Sequence, residues 1–153
     1  MSQKGLCPLE LSSEKSMFPI WSAIHQVMKD RMSGWDLHAP AVLALLHIHS
    51  HPEDAEPARL SECIFVPRQT MTFTLDTLEK QGLVTRKPHP NDRRRKTIVL
   101  SGKGKKLAEA IIGDLLHFEA AALSEFSAQE LSAFQALSRK FANALQQTQG
   151  GTK

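Results

Sequence analysis

A run that closes a helix and opens a cationic ribbon constrains this chain more than any other feature. Leu78-Glu79-Lys80-Gln81-Gly82-Leu83-Val84-Thr85-Arg86-Lys87 reads as a helix stopped by glycine and followed by a strand. Asn91-Asp92-Arg93-Arg94-Arg95-Lys96 follows as the tip and return of a two-stranded ribbon. From Arg86 to Lys106 there are nine Lys/Arg and one acid, Asp92, for a net of +8. The whole chain carries +3, so everything outside those 21 residues sums to −5. Attraction for a polyanion is therefore concentrated in one short segment.

At 153 residues, with 41% hydrophobic and 23% charged residues, the chain is expected to form a single domain with a genuine core. No apolar run approaches the ~18 residues that span a bilayer, so no membrane partner is expected. Met1 to Ser16 lacks a secretory apolar stretch, and two cysteines, Cys7 and Cys63, make no disulfide framework. Both point to a cytoplasmic protein. Residues 1–11 and 146–153 are polar and are expected to fray. No nucleophile–base spacing, phosphate-binding glycine loop or carboxylate pair is present, so neither an enzyme nor a cofactor is expected.

Met17, Ile20, Trp21, Ile24, Val27, Met28, Met32 and Trp35 recur at three- and four-residue steps and give one apolar helix stripe, with Gly34 near its end. Pro40 suits a first helical turn, and Ala41 to Ser50 is apolar on most sides, so a short buried helix is expected there. Residues 51–57 read as a loop. Ala58 to Phe65 reads as a short helix, Val66-Pro67 as a tight break, and Pro67 to Gln81 as a second helix with an inward stripe of Met71, Leu75 and Leu78. Leu83 to Pro88 and Lys96 to Leu100 read as strands. Ser101 can cap the next helix, whose stripe is Leu107, Ile111, Leu115, Phe118 and Ala122. Ser127 and Glu130 fit a capping box opening a last helix, with Leu131, Phe134, Leu137, Phe141 and Leu145 on one side. The terminal helices carry more apolar surface than one small domain can cover, which implies burial against a second copy.

Two helices joined by a short turn, the second polar on its outer face, form a helix-turn-helix pattern that would set the second helix in the major groove of duplex DNA. At about 100° per residue, Gln69, Phe73, Asp76 and Lys80 face outward, with Thr72 at the flank. Arg68, Gln69, Thr70, Thr72 and Phe73 are the candidate base and phosphate readers. Gln69 can pair with adenine, Phe73 or the threonine methyls can touch thymine, and Arg68 can reach guanine or phosphate. Asp76 is unfavourable beside phosphates, and Lys80 at i+4 is its expected partner. Arg86, Arg93, Arg94, Arg95 and Lys96 supply the ribbon's cations, with the three consecutive arginines at the hairpin tip suited to a narrow minor groove. Asp92 is expected to hold Arg94 in one geometry.

Leu60 to Lys106 resembles the MarR family of winged helix-turn-helix regulators. The matching stretches are Arg68 to Thr72 at the start of the recognition helix, Leu78 to Val84, and Asp92-Arg93-Arg94 before Ile98 to Ser101 and Gly104. The resemblance extends weakly through Leu37 to Leu46 and over the terminal helices by pattern. It implies a mainly α winged helix-turn-helix at residues 38–104, with dimerisation helices at 12–35 and 105–147. It also implies a homodimer on a pseudo-palindromic operator, with Arg94 in the minor groove and Asp92 beside it. Phe73, Pro67 and Ala41 depart from the residues frequent in the family, so base preference does not carry over. The function implied is a DNA-binding transcription regulator, a repressor relieved by a small-molecule effector; an activator is the alternative sign.

Trp21, His25, Met28, Met32 and Trp35 could line a cleft for an aromatic or lipophilic effector, since Met and Trp make adaptable apolar walls. In the resembling family such ligands sit between dimer helices and winged domain. A redox- or metal-responsive regulator is the other alternative. Cys7 stands where some relatives sense oxidants, but the chain has no tyrosine to surround it and Pro8 follows directly. His47, His49 and His51 invite a metal reading because His47 and His51 are i,i+4. No carboxylate or thiol is visibly paired with them in sequence, so no metal site is expected, and Cys63 reads as a small core residue.

Overall fold

The computed structural model describes residues 16–89 and 92–150; for Asp92 to Arg94 and for residues 149–150 it describes the backbone alone. The order is α1 (Phe18–Ser33), α2 (Ala39–Ser50), a 3-10 turn (Pro52–Asp54), α3 (Pro57–Cys63), α4 (Arg68–Lys80), β1 (Val84–His89), β2 (Asp92–Leu100), α5 (Gly102–Leu123) and α6 (Ala128–Gly150). β1 and β2 pair antiparallel as the one described sheet. This is the mainly helical winged architecture that the pattern predicts. No described helix is long and apolar enough to cross a membrane. The chain divides into two compact units, residues 1–112 and 113–153.

In the first unit α2 is the central helix. Ala41, Val42, Ala44 and Leu45 lose all solvent contact and Ile48 nearly all. Leu60 of α3, Met71, Leu75 and Leu78 of α4, Val84, Ile98, and Ala108 and Ile111 of α5 complete this core. Each buried Leu or Ile contributes about 1.5–3 kcal/mol of transfer free energy. Thr74 is also fully buried on the inward face of α4, where the spacing marked only apolar residues. Its hydroxyl is satisfied by His38 Nε2 at 3.1 Å.

The turn between α3 and α4 is closed by Ser61, whose hydroxyl donates to the Val66 carbonyl at 2.9 Å while the Val66 amide donates back to the Ser61 carbonyl at 3.1 Å. Phe65 takes a left-handed φ of 55° in that turn, a conformation that costs a non-glycine residue about 1–2 kcal/mol. Helix α4 ends as the glycine predicts. Gly82 adopts φ 70°, its amide donates to the Glu79 carbonyl at 2.9 Å, and the Leu83 amide donates to the Leu78 carbonyl at 2.9 Å.

The wing differs from expectation at its tip. β2 starts at Asp92 rather than Lys96. Pro88 pairs with Lys96 and His89 with Asp92, so Arg93, Arg94 and Arg95 are inserted into β2 with no Cα partner on β1. They are therefore a bulge within the strand, not the turn. Pro88 has no amide hydrogen to continue the ladder, which is why the register breaks there. At the other end of β2, the Ile98 amide donates to the Ala55 carbonyl at 2.7 Å, fastening the wing to the segment before α3.

Ser101 caps α5 as expected, accepting from the Gly104 amide at 2.9 Å, and its hydroxyl donates to the Gly82 carbonyl at 2.6 Å. Gly104 passes so close to β1 that a Cβ there would lie 1.9 Å from the Leu83 carbonyl oxygen.

In the second unit the capping box forms. Glu130 accepts from the Ser127 amide at 2.9 Å and hydroxyl at 2.7 Å, and the Glu130 amide donates to Ser127 Oγ at 3.3 Å. These bonds hold the exposed Glu130 carboxyl below its usual range. Phe134, Leu137, Phe141 and Leu145 form an exposed stripe on α6, as Ile20, Trp21, Ile24 and Val27 do on α1.

Candidate nucleic-acid interface

The outer face of α4 carries Arg68, Gln69, Thr72, Phe73 and Lys80 exposed, with Thr70 half-buried. Thr72 Oγ1 donates to the Arg68 carbonyl at 3.0 Å, which turns the hydroxyl along the helix. Phe73 is 66% exposed and meets His38 edge-on, ring centroids 6.3 Å apart. Pro67 sits at the N-cap with an extended ψ of 147° and offers no capping side chain. The first amides of α4 therefore receive no cap from Pro67.

Asp76 is not paired as the i+4 rule suggested. Its carboxylate accepts from Arg86 Nη2 at 2.6 Å instead of engaging Lys80. Arg86 Nη1 also binds Glu79, and the Arg86 amide donates to Glu79 Oε1 at 3.1 Å. Partial burial disfavours the guanidinium charge, but the Asp76 and Glu79 bonds outweigh it and raise the Arg86 pKa. Arg86, expected as a DNA contact, is thereby committed to α4. It fixes the wing against α4.

Arg95 is likewise partly committed. Its Nε donates to Glu56 Oε2 at 2.8 Å and its Nη2 binds the same carboxylate, while His89 Nε2 lies 3.8 Å from Glu56 Oε1. Glu56, unmarked in the sequence reading, anchors both sides of the wing to the segment before α3. Lys87 and Lys96 remain exposed. The Asp92–Arg94 pairing lies outside the described side chains. One acid–arginine clamp thus joins the exposed polar face of α4 to the basic ribbon, and a second, Arg95–Glu56, ties the ribbon to the segment before α3.

Residues 35–95 match the sequence model of the MarR family. The winged-helix segment is similar to the MarR family. The MarR-type fold continues beyond that segment. The structure of a Staphylococcus aureus MepR–DNA complex aligns over 86% of this chain and 99% of that one, with a TM-score of 0.72 at 22% identity. MarR aligns over 92% and 97%, with a TM-score of 0.74 at 22% identity. YusO from Bacillus subtilis aligns over 84% and 90%, with a TM-score of 0.64 at 20% identity. At these identities the likeness is one of fold. With the match of residues 35–95, it shows a MarR-type winged helix-turn-helix fold.

The five side chains singled out for an effector are not gathered in one cleft among the described residues. Trp21 and His25 stack at 5.5 Å on the exposed side of α1, Met32 is buried, and Met28 is half-buried. Trp35 lines a separate open cleft with Leu37, Gln81, Lys103 and Leu107. α1 ends at Ser33, so Trp35 lies beyond the helix whose spacing relates Trp21, His25, Met28 and Met32. Cys7 lies outside the described residues.

The histidine run is also rearranged. His47 and His51 stack with ring centroids 5.0 Å apart. His47 faces Asp54 and Cys63, and the three offer ligand atoms that all lie within 4.8 Å of one another. Burial, then the neighbouring His51, lowers the His47 pKa, favouring the neutral ring. The carboxylate and thiol missing from the sequence reading are supplied by the chain's return through the 3-10 turn and α3.

Proposed function

We propose that this MarR-family regulator is a cytoplasmic homodimeric repressor of a pseudo-palindromic operator, released by a small aromatic or lipophilic effector. The carrying observation is the clamped pair of reading elements. Arg68, Gln69, Thr72 and Phe73 project from α4, and Arg86 ties α4 to a wing in which residues 93–95 have no Cα partner on β1. In this reading α4 lies in the major groove, where Gln69 and Arg68 read base edges. Arg94 enters the minor groove, Asp92 orients it, and Arg93, Lys96 and Lys80 neutralise phosphates. Arg95 contributes only the part of its charge that Glu56 leaves.

The exposed apolar stripes of α1 and α6 support the dimer, because a lone chain would leave Trp21, Ile24, Phe134 and Leu137 in water. MepR, one of the structural neighbours, is a transcription regulator of a multidrug efflux pump, which is in keeping with a small-molecule effector for this chain. An effector that fits one spacing of the two recognition helices better than another shifts the dimer away from the DNA-competent state. In this reading Trp21, His25 and Met28 on α1 contribute to meeting it.

The test is fluorescence anisotropy with duplexes from the protein's own upstream region beside a scrambled control, at ~150 mM salt, where nonspecific affinity is weak. Saturation by two chains per duplex with the upstream sequence alone supports the reading. Equal, weak binding to upstream, scrambled and random-pool duplexes overturns it.

A further inference from the structure

We propose that His47, Asp54 and Cys63 form a site for a thiophilic divalent cation of the zinc class. His47 stands in the last turn of α2, Asp54 ends the 3-10 turn, and Cys63 ends α3. Their ligand atoms lie within 4.8 Å of one another, and all three residues are half-buried. A tetrahedral zinc shell, with bonds of about 2.0–2.3 Å, places its donor atoms about 3.3–3.8 Å apart, so small rotamer changes close the site. The independent observation is His47 Nε2. It is buried and has no hydrogen-bond partner among the described residues. A buried imidazole nitrogen without a partner is costly, and a ring set among a carboxylate and a thiol can relieve that cost by binding a cation.

The donor set selects the metal. One imidazole, one carboxylate and one thiolate suit zinc or cobalt rather than magnesium or calcium, which take oxygen shells. Binding transfers the Cys63 thiol proton to water and leaves the thiolate on the ion. Arg59 Nε holds Asp54 Oδ2 at 3.0 Å, leaving Oδ1 for the ion and orienting the carboxylate. His51, stacked on His47, or a water completes the fourth position.

The placement gives the site a consequence. Asp54 is followed by Ala55, which accepts from Ile98 of β2, and by Glu56, which holds Arg95. A cation at His47–Asp54–Cys63 would fix the base of the segment that anchors the wing.

The experiment is a cobalt(II) titration of the reduced, full-length protein. One cobalt per chain is expected, with tetrahedral visible bands and a thiolate charge-transfer band in the near ultraviolet, both removed by added zinc. Cys63→Ser is expected to abolish the charge-transfer band, and His47→Gln to weaken binding by about a hundredfold or more. Cys7→Ser should leave both unchanged. Absence of the bands in the parent protein, or their loss in Cys7→Ser with retention in Cys63→Ser, overturns the proposal. Should Cys63→Ser fail to fold, the melting temperature of the parent protein decides: zinc raises it if the site exists and leaves it unmoved otherwise. No readout involves DNA, so the site is tested separately from the operator reading.

Discussion

Arg86 of β1 reaches back across the Gly82 turn to Asp76 of α4, Nη2 to Oδ1 at 2.6 Å. Glu79, one helical turn on, takes the other arm of the guanidinium. The pair converts two elements that would otherwise hinge at Gly82 into one body. Arg86→Ala is expected to lower stability by about 1–2 kcal/mol, solvent screening keeping the figure below that of a fully buried pair. Urea unfolding of Arg86→Ala, Asp76→Ala and the double variant measures it. A coupling energy of zero between the two sites would show that the clamp contributes nothing.

Gly104 and Gly102 differ although both open α5. A Cβ on Gly104 meets the Leu83 carbonyl oxygen at 1.9 Å, and backbone cannot swing aside as a side chain can. Gly104→Ala should therefore cost about 3 kcal/mol or more in urea unfolding, at or beyond the usual upper end for overpacking. A Cβ on Gly102 meets nothing within 4 Å, and Gly102→Ala should be neutral or stabilise by up to about 1 kcal/mol. Equal effects at the two positions would contradict this account of how α5 docks.

Arg94 stands in the unpaired insertion of β2. Arg94→Ala should weaken operator binding by at least ~1 kcal/mol, the size of one good groove contact. It should also flatten the log–log salt dependence by about 0.9 if the lost contact neutralises a phosphate. Anisotropy titrations across a salt series separate these effects, and an unchanged curve removes Arg94 from the interface.

The α6 stripe tests the assembly. Leu137 is 64% exposed in the single chain. If that stripe is buried in a dimer, Leu137→Glu places a charge in an apolar interface and should yield monomers by sedimentation equilibrium. A dimer of undiminished affinity would mean that α6 does not supply the interface.

Glu130 gives a pH dependence whose sign follows from its lowered pKa. The folded chain binds fewer protons at this group than the unfolded chain does. The stability it contributes is therefore present above the ordinary carboxylate value of 4.5 and is lost as the pH falls through the lower folded value. Glu130→Gln should remove that part of the acid dependence of melting while leaving the neutral-pH fold intact. An identical acid profile for parent and variant would show that the capping box carries no linkage.

What the sequence determined by itself is whatever backbone periodicity and local hydrogen bonding decide. Met71, Leu75 and Leu78 had to share one face of α4 because a helix repeats every 3.6 residues. Gly82 had to end it because a left-handed residue closes a helix best without a Cβ. Ser127 and Glu130, or Ser101 and the Gly104 amide, find each other within one turn. The exposed Arg68–Gln69–Thr72–Phe73 face is legible for the same reason.

Tertiary structure decided the partners of charges and ligands. Arg86 counted as a free cation in the sequence, yet the turn at Gly82 carries it to Asp76, while the local rule had offered Lys80. The three arginines read as a tip, and Pro88, unable to donate to the ladder, made them an insertion instead. Helical spacing coupled His47 to His51, whereas the path of the chain through the 3-10 turn and α3 brought Asp54 and Cys63 to it. Local pattern acts through a backbone geometry common to all chains. A long side chain takes whichever opposite charge or empty acceptor the packed core sets beside it, and that proximity exists only once distant segments have folded together.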